Sequence, residues 1–183
     1  MKKYVLLLRG INVGGKNKIP MTELKSCLEQ LGCTEVKTYI QSGNAIVSSA
    51  LDAQSLERAV ENQLTQSFTL DSSIVKVLAL THRQLADIVG NKPKGFGAHP
   101  DIYHSDVIFL MGITEKEAMA VFDPREGVDQ VWHGKGVIYS QRLSAERTKS
   151  RLNKIVGTQP YQSMTIRNWN TTTKLLELMA PTN

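Results

Sequence analysis

The sequence predicts an α+β protein made of two similar halves, each ordering its elements β-α-β-β-α-β. Two runs that are apolar at every position, Tyr4–Leu8 and Val107–Met111, open the halves. Each run is followed by apolar residues at helical spacing. Each half then holds a pair of short β-prone runs around a turn, Ser42-Gly43 in the first and Gly134-Lys135-Gly136 in the second.

In the first half, Tyr4–Arg9 is aliphatic and β-branched and ends in glycine, which reads as a strand. Pro20 opens a helix with Leu24, Cys27, Leu28 and Leu31 on one face and Gly32 as its stop. Glu35–Gln41 and Asn44–Ser48 read as a hairpin, Leu56, Val60, Leu64 and Phe68 as an i,i+4 ladder on a second helix, and Ser73–Leu80 as a strand. A linking helix follows, opened by a capping box of Thr81 and Gln84 and carrying Leu85, Ile88 and Val89. The stretch from Asn91 to Pro100 is rich in turn formers and reads as a linker.

The second half repeats the order. Val107–Met111 is a strand, Thr114 and Glu117 cap a helix bearing Ala118, Val121 and Phe122, and Gln130–His133 pairs with Val137–Gln141. Leu152, Ile155 and Val156 predict a further helix ending at Gly157, followed by a strand over Gln162–Arg167 and a terminal helix around Thr171–Met179. This order is that of the ferredoxin-like unit. The expected organisation is a first subdomain with its linking helix over 1–90, a linker over 91–101, and a second subdomain with a terminal helix over 102–183. A strand with one wet face alternates, so the two uniformly apolar runs require cover on both faces. Helices cover one face of such a unit. The opposite half or a second subunit must cover the other.

Composition narrows the function classes. Hydrophobic content of 41% and charged content of 21% are those of a globular protein. The N-terminal apolar run Tyr4–Leu8 is too short for a signal peptide or a membrane span, so a cytosolic protein with no membrane association is expected. Cys27 and Cys33 match no zinc or redox spacing, and no metal or other cofactor is expected. Net charge is +5, unevenly spread: residues 1–20 hold five basic residues and no acid, and residues 135–174 hold eight basic residues and one acid. Positive terminal segments favour an anionic ligand or partner.

Arg9–Lys18 joins the first strand to the first helix, and Gly10 through Lys16 fits G-x-x-x-x-G-K. A nucleotide-hydrolysing phosphate loop is nonetheless excluded. Asn17 stands where a magnesium-binding hydroxyl belongs, and Pro20 would fall inside a helix begun at Lys16. Anion binding without hydrolysis remains: Gly14 and Gly15 free backbone N–H groups, while Arg9, Lys16 and Lys18 supply charge ahead of a helix N-terminus. In this element order the first loop and the hairpin turn lie at one end of the sheet. Asn12, Gln41, Ser42 and Asn44 therefore join the candidate ligand site. The same geometry gathers Ser150, Arg167, Asn168, Trp169 and Asn170 into a second cluster at the other end of the second unit.

Three blocks, Leu8–Met21, Thr38–Asn44 and Thr165–Thr171, resemble the bacterial family known as domain of unknown function 1697. The resemblance runs essentially end to end and implies two α+β subdomains of ferredoxin-like character. It brings no activity, substrate or cofactor with it. The segment Arg147–Lys154 departs from the family's G-x-[GR]-S-K-L-T pattern, with no preceding glycine and Arg151 in the lysine position.

The leading expectation is a protein binding a small anionic or phosphorylated ligand. Its alternative is sequence-independent nucleic-acid contact through the basic terminal segments. An RNA-recognition module is excluded, because Asn44–Ser49 offers no aromatic on which a base could stack. His99, Asp101, His104 and Asp106 read as solvated loop residues rather than a metal site, since no helical spacing orients them.

Overall fold

A computed structural model describes residues 1–71 and 73–180. The chain divides into two compact units. The first holds Met1–Leu85 and the chain from Leu175 onward; the second holds Ala86–Lys174.

In the first unit, β1 (Lys2–Arg9), β2 (Thr34–Tyr39), β3 (Asn44–Ser49) and β4 (Lys76–Thr81) form an antiparallel sheet in the order β2-β3-β1-β4. Helices α1 (Met21–Gln30) and α2 (Ala53–Ser67) pack on it. Tyr4, Leu6 and Leu8 share a buried cluster with Leu24 and Leu28 of α1 and with Leu56, Val60 and Leu64 of α2. Val5 and Leu7 point to the other face and are also fully buried, so β1 has no wet side. Cys27 and Cys33 are free and buried, and burial pushes both thiols up.

β4 is an edge strand, and α2 supplies partners along its outer side. Glu61 accepts from Val77 N–H at 2.8 Å and Glu57 from Ala79 N–H at 2.9 Å. Burial raises the pKa of Glu57. The expected Thr81–Gln84 capping box opens α3 (His82–Gly90), with Thr81 N–H 2.8 Å from Gln84 Oε1. The hairpin differs from expectation. β2 stops at Tyr39, which pairs with Asn44, so the turn holds four residues rather than two. Asn44 makes that longer turn hold: its buried amide donates to Tyr39 O at 3.1 Å and to Ser42 Oγ at 3.0 Å.

The second unit contains β5 (Tyr103–Leu110), α4 (Glu115–Met119), β6 (Asp129–Gly134), β7 (Val137–Leu143) and β8 (Met164–Asn168), in the sheet order β6-β7-β5-β8. α5 (Trp169–Met179) follows directly. Thr114 and Glu117 form the expected capping box. The helix spans only five residues, so Val121 and Phe122 pack beyond its end.

No α-helix forms over 152–156. Residues Leu152–Ile155 make a 3₁₀ turn, flanked by two more over Arg147–Lys149 and Pro160–Ser163. A 3₁₀ turn has three residues per turn and places i and i+3 on one side. Leu152 and Ile155 are accordingly buried, whereas Val156 is 60% exposed. The i, i+3, i+4 spacing had pointed to an α-helix, but only its i, i+3 pair fits the 3₁₀ period.

Residues 91–101 lie inside the second unit as a series of turns. Phe96 is fully buried there, edge-on to Tyr139 at 5.2 Å, Trp169 at 5.3 Å and Trp132 at 6.1 Å. Gly97 has φ +70°, and a Cβ at that position would run into the Trp169 indole. Tyr139 donates to Ile88 O at 2.7 Å, and burial pushes its phenol up to about 12. Truncating a buried aromatic typically costs about 3–5 kcal/mol. Phe96→Ala should destabilise the second unit by that amount, measured by urea denaturation with tryptophan fluorescence. A loss below about 1 kcal/mol would show that Phe96 is not a central packing residue.

Candidate functional site

The loop between β1 and α1 folds into a short two-stranded arm. Val13 bridges Lys16, whose N–H donates to Val13 O at 3.0 Å, and Asn12 N–H donates to Asn17 O at 3.0 Å. Gly14 and Gly15 form the tip with φ +58° and +76°, the two successive left-handed residues that a tight I′ turn demands. The arm therefore does not wrap a phosphate as a P-loop does, and α1 begins only at Met21.

Side chains pin the arm on both sides. The Asn12 amide donates to Ile19 O at 3.0 Å and to Gln41 O at 2.9 Å, while its oxygen accepts from Ile19 N–H at 2.8 Å. This brings the arm against the hairpin turn, at the end of the sheet the element order had indicated. On the other side, Asn17 donates to Gly10 O at 2.7 Å and accepts from Asp71 N–H at 2.9 Å. Arg9 donates to Ile74 O at 2.8 Å. Asn12, Asn44 and Arg9 thus spend hydrogen bonds inside the fold.

Lys16, Lys18, Gln41 and Ser42 are exposed. A Cβ added at Gly14 or Gly15 would meet only open space. Among the described residues, no carboxylate lies within ion-pair distance of Lys16 or Lys18. Asp71 is held below the ordinary carboxylate range, chiefly by the hydroxyl and N–H of Ser73 and at longer range by Lys16.

The second cluster is divided. Asn168, Trp169 and Asn170 line one hollow of about 100 Å³ together with Tyr103, His104 and Ser105. Asn168 Oδ1 accepts from Thr171 N–H at 2.7 Å and so caps α5. Arg167, one residue back along β8 and opposite Val107, is buried and donates to Thr165 Oγ1 at 2.9 Å and Ile166 O at 2.8 Å. Burial pulls its guanidinium down to about 10.

Ser150 turns instead toward the buried Asp129, whose Oδ2 accepts from Arg151 N–H at 2.8 Å and Arg125 N–H at 3.0 Å. Sequence spacing missed Tyr103 and Ser105. It singled out His104 and Asp106 but assigned them to solvated loops; they lie on β5, with His104 Nε2 3.1 Å from Asp106 Oδ1. Asp106 also sits 3.9 Å from Arg142, and its burial raises the carboxyl pKa against the lowering pull of both neighbours. No group of three His, Cys, Asp or Glu side chains capable of holding a metal occurs among the described residues, and no helix among them is long and apolar enough to cross a membrane.

The arm, the hairpin turn behind it and the α+β units that carry them come from the sequence blocks that resembled a known family. The model of the family described as protein of unknown function (DUF1697) matches residues 1–139. The chain belongs to the DUF1697 family. Among solved structures, the conserved bacterial protein SP0830 from Streptococcus pneumoniae is similar to this DUF1697 chain. The match covers 97% of this chain and 98% of that one, at 27% identity and a TM-score of 0.79. No curated protein matches.

Two outcomes test the local architecture. Asn12→Ala removes three hydrogen bonds at a residue with φ +53°. It should cost about 2–3 kcal/mol and strip hydrogen-exchange protection from the arm, whereas Lys16→Ala should stay within about 0.5 kcal/mol. At Asp129, burial pushes the carboxyl up, but the Arg151 N–H, the Ser150 hydroxyl and the Arg125 N–H outweigh it and leave the pKa lowered. A lowered folded pKa stabilises above the unfolded value of about 3.9, and that contribution is lost as pH falls through the folded value. Asp129→Asn should therefore weaken the second unit at pH 7 and flatten its stability loss below about pH 4, read by acid titration of thermal melting.

Proposed function

We propose that the protein binds a small anionic or phosphorylated ligand on the arm of its first unit. The observation that supports this reading is a pinned, glycine-tipped arm carrying Lys16 and Lys18 beyond ion-pair reach of any described carboxylate. The neutral Gln41 and Ser42 stand at the adjoining turn. A ligand here meets two ammonium groups and uncharged hydrogen-bonding groups beside them. We further read both units as ferredoxin-like in topology, because their sheet orders, β2-β3-β1-β4 and β6-β7-β5-β8, correspond element for element.

The ligand touches the arm from one side. Exposed ion contacts contribute up to about 1 kcal/mol each and hydrogen bonds a similar amount. Four such contacts correspond to a Kd of about 1 mM.

Nucleic-acid contact through the basic terminal segments is the weaker reading. Arg142, Lys149, Arg151 and Lys154 each have a carboxylate partner in Asp106, Glu146 or Asp123, which offsets much of that segment's charge.

The test is a thermal-shift panel of nucleotides, sugar phosphates and carboxylates at 10 mM, each against chloride of equal ionic strength. With a Kd of about 1 mM, a binding ligand should raise the melting temperature by about 3–6 °C. The rise should vanish in the Lys16→Ala/Lys18→Ala double variant. Absence of any stabilisation, or equal stabilisation of the double variant, would overturn the reading.

A further inference from the structure

We propose that the arm end of the first unit docks on an anionic lipid surface, with Val13 and Ile40 entering the headgroup layer and Lys16 and Lys18 meeting lipid phosphates. The proposal rests on the arm reading for its two ammonium groups. It adds an apolar component that a small anion in water does not use.

Exposed apolar side chains supply that component. Val13 is 66% exposed on the arm and Ile40 is 48% exposed at the hairpin turn. The Asn12 amide, donating to Gln41 O at 2.9 Å, ties together the two loops that carry them. Val13 bridges Lys16 across the arm, and such cross-strand partners share one side of a ribbon. A lysine in that place lays its methylene stem along apolar surface and keeps its ammonium among polar groups. Gly14 and Gly15, between the two, add no side chain and face open space. Val13 is therefore the apolar group nearest the tip.

Backbone conformation singles out Ile40. Its φ of +49° strains a β-branched residue and suits glycine or asparagine better. Nearly half of its surface is nonetheless open to water. Packing inside the unit accounts for only part of what that strain maintains, and strain of this kind collects at binding sites.

Charge selects the partner. Residues 8–22 and 39–44, which build this end, hold three basic residues and no acid. A neutral surface gains nothing from the lysines, and a soluble phosphate gains nothing from Val13 and Ile40. An anionic bilayer uses both, and an exposed tip needs no cavity to do so. The expectation of no membrane association rested on the length of apolar runs, which limits spanning segments and not surface contact.

The experiment is sedimentation of the full chain with vesicles of phosphatidylglycerol and phosphatidylcholine in equal parts, against vesicles of phosphatidylcholine alone. Binding to the mixed vesicles is expected, about thirtyfold weaker on neutral vesicles and in Lys16→Ala/Lys18→Ala. Val13→Thr/Ile40→Asn should bind about tenfold more weakly. Val13→Thr keeps the branched shape and Ile40→Asn relieves the left-handed strain, so melting should be unchanged or raised and unfolding cannot explain the loss. The same variant should keep any stabilisation by soluble phosphates. Such stabilisation without vesicle binding would overturn this proposal and leave the arm reading standing. Vesicle binding with no stabilisation by soluble anions would support this proposal and overturn a small soluble ligand. The proposal is also overturned by equal sedimentation with neutral vesicles, by unchanged binding in either double variant, or by equally tight binding of soluble polyglutamate, which would assign the tip to an acidic protein segment. Self-association that Val13→Thr/Ile40→Asn abolishes, read by light scattering, would assign the tip to a second copy and overturn it too.

Discussion

Burial of β1 on both faces is the constraint on which the first unit's geometry rests. A strand apolar at every position cannot slip by one residue without exchanging one buried set for the other, and both sets must find packing partners. Its pairing with β3 and β4 runs without interruption from Lys2↔Ser49 to Leu7↔Asn44 and from Tyr4↔Thr81 to Arg9↔Lys76. That register ends at Arg9, and the arm starts there. With β1 and β3 fixed in register, the hairpin turn is delivered to the same end, where Leu8 N–H donates to Gly43 O at 2.8 Å and the Asn12 amide to Gln41 O at 2.9 Å. The second unit obeys the same rule through β5, where Val107 to Leu110 are all buried.

Much of this was legible in the sequence because it depends on period and on turn formers. Unbroken apolar runs identified the two central strands, the i,i+4 ladder from Leu56 identified α2, and Thr81–Gln84 and Thr114–Glu117 identified two helix starts. The arm's position beside the hairpin turn followed from element order alone. The remainder depends on choices that spacing does not make. Leu152 and Ile155 are compatible with 3.6 or 3.0 residues per turn, and one further apolar residue, Val156, is too little to decide between the two. Phe96 sits among glycines, prolines and lysines, so its neighbourhood reads as loop; it is loop, yet that one ring is the centre of an aromatic cluster. His104 and Asp106 drew attention in the sequence, but were assigned to solvated loops. Placed two apart on one strand, they share a face and meet each other instead.

The two units show how one order of elements can carry different equipment. In the first, a full helix returns the chain from β3 to β4, and the exposed chemistry gathers at the β1–α1 end of the sheet. In the second, three 3₁₀ turns replace that helix, and the polar hollow forms at the start of β5 and the end of β8, the opposite end of its own sheet. The internal repeat is therefore one of topology. The residues that face solvent, and the chemistry they offer, have been distributed separately in each half.

A free sheet margin invites a strand from another molecule, since its outward N–H groups seek acceptors. Along β4 the outward N–H groups of Val77 and Ala79 lie two residues apart, about 7 Å, while Glu57 and Glu61 lie one helical turn apart, about 6 Å. The near-coincidence of those two spacings lets one helix face occupy both positions with carboxylates. A neighbouring chain arriving there would have to displace two charge-assisted hydrogen bonds first, so this border of the sheet is guarded against aggregation by the helix packed against it.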